Sequence, residues 1–235
     1  MTNTSRIYLS SPVNAIVEGI YEEHVPFSEI RRHGDFGLGT FDMLDGEMVM
    51  LDGHIYQMTA DGRVQEVGDD ATTPFACVTF YQPEQSIELD GEQDYDGFLR
   101  RLQEPLPSPN IFYAFRIEGE FAYMKVRSVP KSECYIPLVE IAKEQPVFEF
   151  ANITGTLAGF YTPEFMSSVS VPGMHLHFLS DDLAHGGHLL TCRPRRVRAG
   201  IQSLYTVELA LPSTPYYMGW DFRRDVAQDL EIAEK

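Results

Sequence analysis

The sequence predicts an α/β (α+β) protein of two sheet-dominated domains, built on mixed, largely antiparallel β-sheets with few helices. Three observations carry this expectation. Asp-Gly pairs at Asp45-Gly46, Asp52-Gly53 and Asp61-Gly62 separate short apolar runs, the strongest local signal for hairpins. From Pro146 onward, "VFEFANI", "GTLAGFYT", "MHLHFL", "HLLTCR" and "LYTVELAL" succeed one another as strand-like runs. Helical spacing is confined to a few short stretches.

The first thirty residues are partly helical by pattern, because Ala15, Ile16, Ile20 and Tyr21 form an apolar stripe. "HGDFGLGTFDMLDG" then predicts a glycine-rich turn. Its "GDFGLG" is a fragment of a dinucleotide-loop pattern, but no buried parallel strand precedes it, so the turn is preferred. "DGEMVMLDGHIYQMTADGRVQEV" reads as a β-meander, and "PFACVTFY" as a further strand. "DYDGFLRRLQ" predicts a short helix starting near Asp94, with Phe98, Leu99 and Leu102 on one side. Beyond "PLPSPN", the runs "IFYAFRI" and "FAYMKVRSV" predict a hairpin from Ile111 to Val129 that turns at "EGE". "PLVEIAKEQ" is a short helix or turn, and Phe222, Val226, Leu230 and Ala233 suit an amphipathic helix at the C-terminus. A division near residue 140 would give an N-terminal mixed-sheet domain (1–140) and a C-terminal domain (141–235) carrying a histidine-rich hairpin and the last helix.

The formal charge of −17 sets up a field that repels nucleic-acid phosphates and anionic lipid surfaces, so neither is expected as a partner. An anionic small substrate would need local positive charge from a metal or an arginine. The N-terminus lacks the pattern of a signal peptide and no stretch is long enough to cross a bilayer, which reads as a cytoplasmic protein. Cys77, Cys134 and Cys192 are far apart and without a CxxC spacing; they are expected to be buried or inert thiols.

Four of the seven histidines lie in "GMHLHFLSDDLAHGGH". On a strand, His175 and His177 project from one face, roughly 6.5–7 Å apart. A hairpin turning at Asp182-Leu183 sets His177 opposite His188, with Cβ atoms about 4.5–5.5 Å apart. Three imidazoles then converge, while His185 falls at the turn and is not expected to be a ligand. The inference depends on register, because a slip of one residue reverses every face. Three neutral nitrogen ligands suit zinc and leave a fourth position open, as in catalytic sites. Iron, manganese, cobalt or nickel suit the same nitrogens.

Glu47 shares a strand face with Val49 and Leu51, so if those point inward its carboxylate does too. A buried carboxylate with a raised pKa or a partner suits proton transfer, although from this segment alone a surface glutamate is the commoner outcome. Arg127 follows Phe121 and Tyr123 at alternate positions and could supply positive charge to an anionic substrate; a surface arginine is equally compatible with the pattern. There is no G-x-S-x-G, Walker loop or H-E-x-x-H, and the glutamate and late histidine of a cupin H-x-H site are missing. On these residues alone, a zinc-dependent hydrolase or a non-catalytic metal-dependent sensor module would also be consistent.

"HGDFGLGTFDMLDGEMVMLDGHIYQ", "QPVFEFANITGTLAGFYTPEFM" and "VPGMHLHFLSDDLAHGGHLL" together resemble the alpha-acetolactate decarboxylase family, from about Ile7 to the C-terminus and in the family's order. The resemblance implies a zinc lyase that converts 2-acetolactate to acetoin and carbon dioxide, with a two-domain fold of mixed sheets, usually as a homodimer. It implies His175, His177 and His188 as Zn2+ ligands, Glu47 as the acidic active-site residue, Arg127 as the active-site arginine and Thr40 as a residue near the substrate. It also implies a glutamate from the C-terminal tail at the metal site, best matched by Glu234, with Glu231 as the alternative. His185 stands where the family often has an aromatic residue.

Overall fold

The structure is a computed structural model that describes residues 5–22, 24–132 and 134–234; the side chains of Glu231 and Glu234 lie outside the described residues. The chain opens with strand β1 (Arg6–Leu9), helix α1 (Val13–Val17), β2 (Val25–Pro26), α2 (Phe27–Ile30) and β3 (Phe36–Thr40). The Asp-Gly region forms the expected meander of β4 (Glu47–Leu51), β5 (His54–Met58) and β6 (Val64–Val67). β7 (Thr72–Thr73), β8 (Ala76–Thr79) and β9 (Gln85–Asp90) lead to α3 (Tyr95–Gln103). Asp94 caps α3 by accepting from the Gly97 N–H at 2.7 Å, which satisfies a donor that has no partner within the helix. Three long strands dominate the second half of the chain: β10 (Phe112–Arg127), then, after helix α4 (Leu138–Ile141), β11 (Val147–Thr162), the shorter β12 (Gly173–Ser180), and β13 (Gly186–Leu204). β14 (Thr206–Leu209), α5 (Pro215–Gly219) and α6 (Ala227–Glu234) complete the chain.

Two large sheets result. The first has strand order β14-β1-β8-β3-β4-β5-β6, with a parallel β1–β14 pair and antiparallel neighbours elsewhere. The second runs β10-β11-β12-β13-β9, and β10 also pairs with β13. That extra pairing closes β10, β11, β12 and β13 on themselves, which removes their open edges. Phe115, Phe121, Leu157, Phe178 and Val197 fill one core of this closed sheet, together with Phe98 and Leu102 of α3. β11 and β12 pack across β3 and β4 of the first sheet. A second core, including Leu38, Val49, Ala158 and Phe160, lies between the sheets and extends to Leu138, Leu230 and Ala233 of α4 and α6. β2 and β7 form a separate small pair. No helix among the described residues is long and apolar enough to cross a membrane.

Several expectations need correction. "GLG" is not a turn: Gly37 and Gly39 lie in β3, fully buried between β4 and β8, and neither has a positive φ. Gly37 is there because a Cβ would come within 2.2 Å of the Cys77 carbonyl oxygen; the glycine permits close strand approach, not a reversal. The chain also does not turn at "EGE". Glu118, Gly119 and Glu120 pair with β11 on one side and β13 on the other, so β10 continues as one strand of 16 residues. "VFEFANI" and "GTLAGFYT" likewise fuse into β11. The sheets do not separate about residue 140, because β9 and β10 precede that point and pair with later strands, while β14 returns to β1. Near the N-terminus, β1 precedes a helix that ends at Val17, so Ile20 and Tyr21 are buried from irregular backbone. Cys77 and Cys192 are buried, and desolvation pushes both thiols up, but Cys134 is exposed.

Gly37→Ala is expected to lower stability by about 2–3 kcal/mol, since the new methyl must displace backbone. Urea denaturation would measure it, and a loss below about 1 kcal/mol would mean that β3 and β8 can separate without penalty.

Candidate metal centre

The β12–β13 hairpin builds the centre. His177 pairs with His188, Phe178 with Gly187 and Leu179 with Gly186. The Ser180 N–H donates to the His185 carbonyl at 2.8 Å. The turn includes Leu183 at φ 56° and is tied by Asp182, whose carboxylate accepts from the Ser180 hydroxyl at 2.6 Å and the Ala184 N–H at 3.1 Å. This is the register that the histidine spacing requires. His175, His177 and His188 are all buried, and one nitrogen of each lies within 4.8 Å of the others. His185 is elsewhere, its ring centroid 4.5 Å from that of Phe150.

Two of the imidazoles, those of His175 and His177, have the protonation state a metal needs. Burial, then the Arg127 charge, lowers the pKa of His175 to about 3. Burial, followed by His175 and Arg127, also holds His177 well below its ordinary value. Both rings are therefore neutral at pH 7, with lone pairs available. The His177 Nδ1–H donates to the Met48 carbonyl at 2.9 Å, which turns Nε2 toward the cluster. That Nε2 lies 3.4 Å from His188 Nδ1 and 3.5 Å from a Glu47 carboxylate oxygen. Buried neutral nitrogens with an anchored tautomer fit a divalent metal, and this group can hold one.

Distant segments supply the rest of the site. Glu47 begins β4 directly opposite Thr40 at the end of β3, and both are buried. The Thr40 hydroxyl donates to the Gly46 carbonyl at 2.7 Å. Arg127 ends β10 opposite His188 and is 7% exposed, so the guanidinium belongs to the interior. The close approach of β10 and β13 needs Gly187, whose φ is +148° and whose Cβ would lie 2.4 Å from the Arg127 carbonyl oxygen. Thr40, Glu47, Arg127 and the three histidines all line one cavity of about 50 Å³, room for roughly four waters or a small ligand. Its remaining wall is largely apolar: Val13 and Ile16 come from α1, Leu138 from α4 and Ala233 from α6.

The backbone of α6 thus reaches the cavity at Ala233, but the Glu234 and Glu231 side chains lie outside the described residues. One polar wall residue carried no signal in the sequence. Gln145 lies in "AKEQP", a segment whose composition resembles any solvated connection, and no spacing links it to the histidines.

The alpha-acetolactate decarboxylase family model matches residues 7–224. The alpha-acetolactate decarboxylase of Methanosarcina mazei is 39% identical over 230 residues, covering 97% of this chain and 80% of that protein. That of Bacillus licheniformis is 36% identical over 234 residues, covering 99% and 92%. The crystal structure of the Bacillus subtilis strain 168 enzyme superposes with a TM-score of 0.95 at 34% identity, covering 98% of this chain and 99% of that one. Sequence kinship and backbone superposition agree over nearly the whole length, and the chain belongs to the alpha-acetolactate decarboxylase family of carboxy-lyases.

Proposed function

We propose that this protein decarboxylates 2-acetolactate to acetoin and carbon dioxide in the cavity beside His175, His177 and His188, which hold Zn2+. The observation that carries the reading is the convergence of three buried imidazoles with Glu47 and Arg127 around one small cavity, in a chain with this family membership. A bound zinc ion would supply Lewis acidity to the keto and hydroxyl oxygens of the substrate and so stabilise the charge that decarboxylation leaves behind.

The chain's own residues then divide the work. Arg127 meets the substrate carboxylate with a buried positive charge, which offsets the repulsion of an anion by a protein of charge −17. The Thr40 hydroxyl, with its proton committed to Gly46, offers lone pairs to the substrate hydroxyl. Glu47 delivers a proton to the carbon that has lost carbon dioxide. Its fixed position on β4 presents that proton from one side, which makes protonation stereoselective. Glu234 is a second proton carrier in this scheme, brought in by the end of α6. The apolar wall keeps water from competing for the same carbon. A homodimer acting in the cytoplasm is part of the same reading.

Chelation of the metal is expected to abolish acetoin release, and alanine at His175, His177 or His188 to remove both metal and activity. Elemental analysis with an acetoin assay tests this, and full turnover by demonstrably metal-free protein would refute the assignment. Glu47→Gln is expected to retain metal while kcat falls about 10²–10⁴-fold, the usual contribution of a positioned proton donor. Steady-state kinetics on metal-loaded variant protein would measure the fall, and an unchanged kcat would remove Glu47 from proton transfer.

A further inference from the structure

Gln145 leaves a 3-10 turn at Ala142–Glu144 in extended conformation and feeds the chain into β11. The next residue, Pro146, accepts the Ser128 N–H at 3.2 Å, and Val147 pairs with Arg127. The backbone of Gln145 therefore runs beside the end of β10, and Gln145 and Arg127 line the same cavity. Gln145 is partly exposed, and no hydrogen bond within the described residues engages its side chain.

The donors around the cavity make this position consequential. The Thr40 hydroxyl is spent on Gly46, and the proton that Glu47 carries in the proposed reaction is reserved for the carbon that loses carbon dioxide. Outside the imidazole cluster, the cavity side chains that can donate to a carboxylate are the Arg127 guanidinium and the Gln145 amide. One is charged; the other is neutral and carries two N–H groups.

We propose that Gln145 is a substrate-recognition residue whose side-chain amide donates to the substrate carboxylate alongside Arg127. The inference rests on the function proposed above. The contact belongs to the acid and is lost once carbon dioxide departs, because acetoin has no carboxylate. Gln145 thereby sets preference for the anionic substrate over the neutral product, and it acts on binding, not on the proton transfer assigned to Glu47.

The test is steady-state kinetics of the metal-loaded wild type, Gln145→Met and Gln145→Glu, with acetoin as a competing ligand. Gln145→Met keeps the length and removes the donors; KM for acetolactate is expected to rise about tenfold with kcat within about threefold, the size of one hydrogen bond to a charged group. Gln145→Glu sets a second carboxylate against the first, and KM is expected to rise about thirtyfold or more, increasingly so as pH climbs through the glutamate range. The inhibition constant of acetoin, the thermal midpoint and the metal content should stay at wild-type values in both. A KM within twofold of wild type in both variants would overturn the proposal. So would a parallel rise in KM and in the acetoin constant, which would mean a distorted cavity. Absence of turnover by the wild-type protein would instead sink the underlying function together with this inference, and so is distinguishable from failure of Gln145 alone.

Discussion

The pairing of His177 with His188 is the constraint on which the centre depends. Side chains alternate along a strand, so moving β13 by one residue against β12 would turn His188 to the opposite face. The arrangement is held from three directions. Asp182 closes the turn, β11 pairs with β12 from Gly155 to Thr162, and β10 continues along β13 as far as Arg127 and His188. Closure of the sheet makes these pairings mutually dependent, since a slip in one must be taken up by its neighbours.

The second sheet supplies the chemistry that the hairpin lacks. The hydrogen bond from His177 to the Met48 carbonyl crosses from the closed sheet to β4, and the residue before Met48 is Glu47. One contact therefore fixes an imidazole and sets a carboxylate 3.5 Å from its Nε2. The electrostatics of the centre stem from this burial. Burial disfavours the charged imidazole, so His175 and His177 remain neutral, and the positive charge of Arg127 reinforces that state while opposing the negative field of the whole chain.

Legibility in the sequence tracked the range of the interactions. The meander, α3 with its Asp94 cap and the C-terminal helix are readable because turn chemistry and periodicity are local, although that helix begins at Ala227, after Phe222 and Val226 of the expected stripe. Gly37 misled because its short contact comes from β8, forty residues on. The same is true of "EGE", which looks like a turn until two flanking strands are present to hold it extended. Glu47 was ambiguous for a related reason: a charged residue beside a turn is usually solvated, and only packing of β4 against the closed sheet makes it an interior group.

Local strand geometry is enough to select the three histidines and to exclude His185, because one hairpin with a short turn contains them all and allows one convergent arrangement. Family resemblance could then place Glu47, Arg127 and Thr40 at the same centre, yet their own segments carried no sign of it. Their meeting was decided by tertiary structure, through the packing of two sheets and the closure of one. Gln145 had neither signal: it lines the cavity because β11 must begin beside the end of β10, a consequence of long-range pairing that no local pattern encodes.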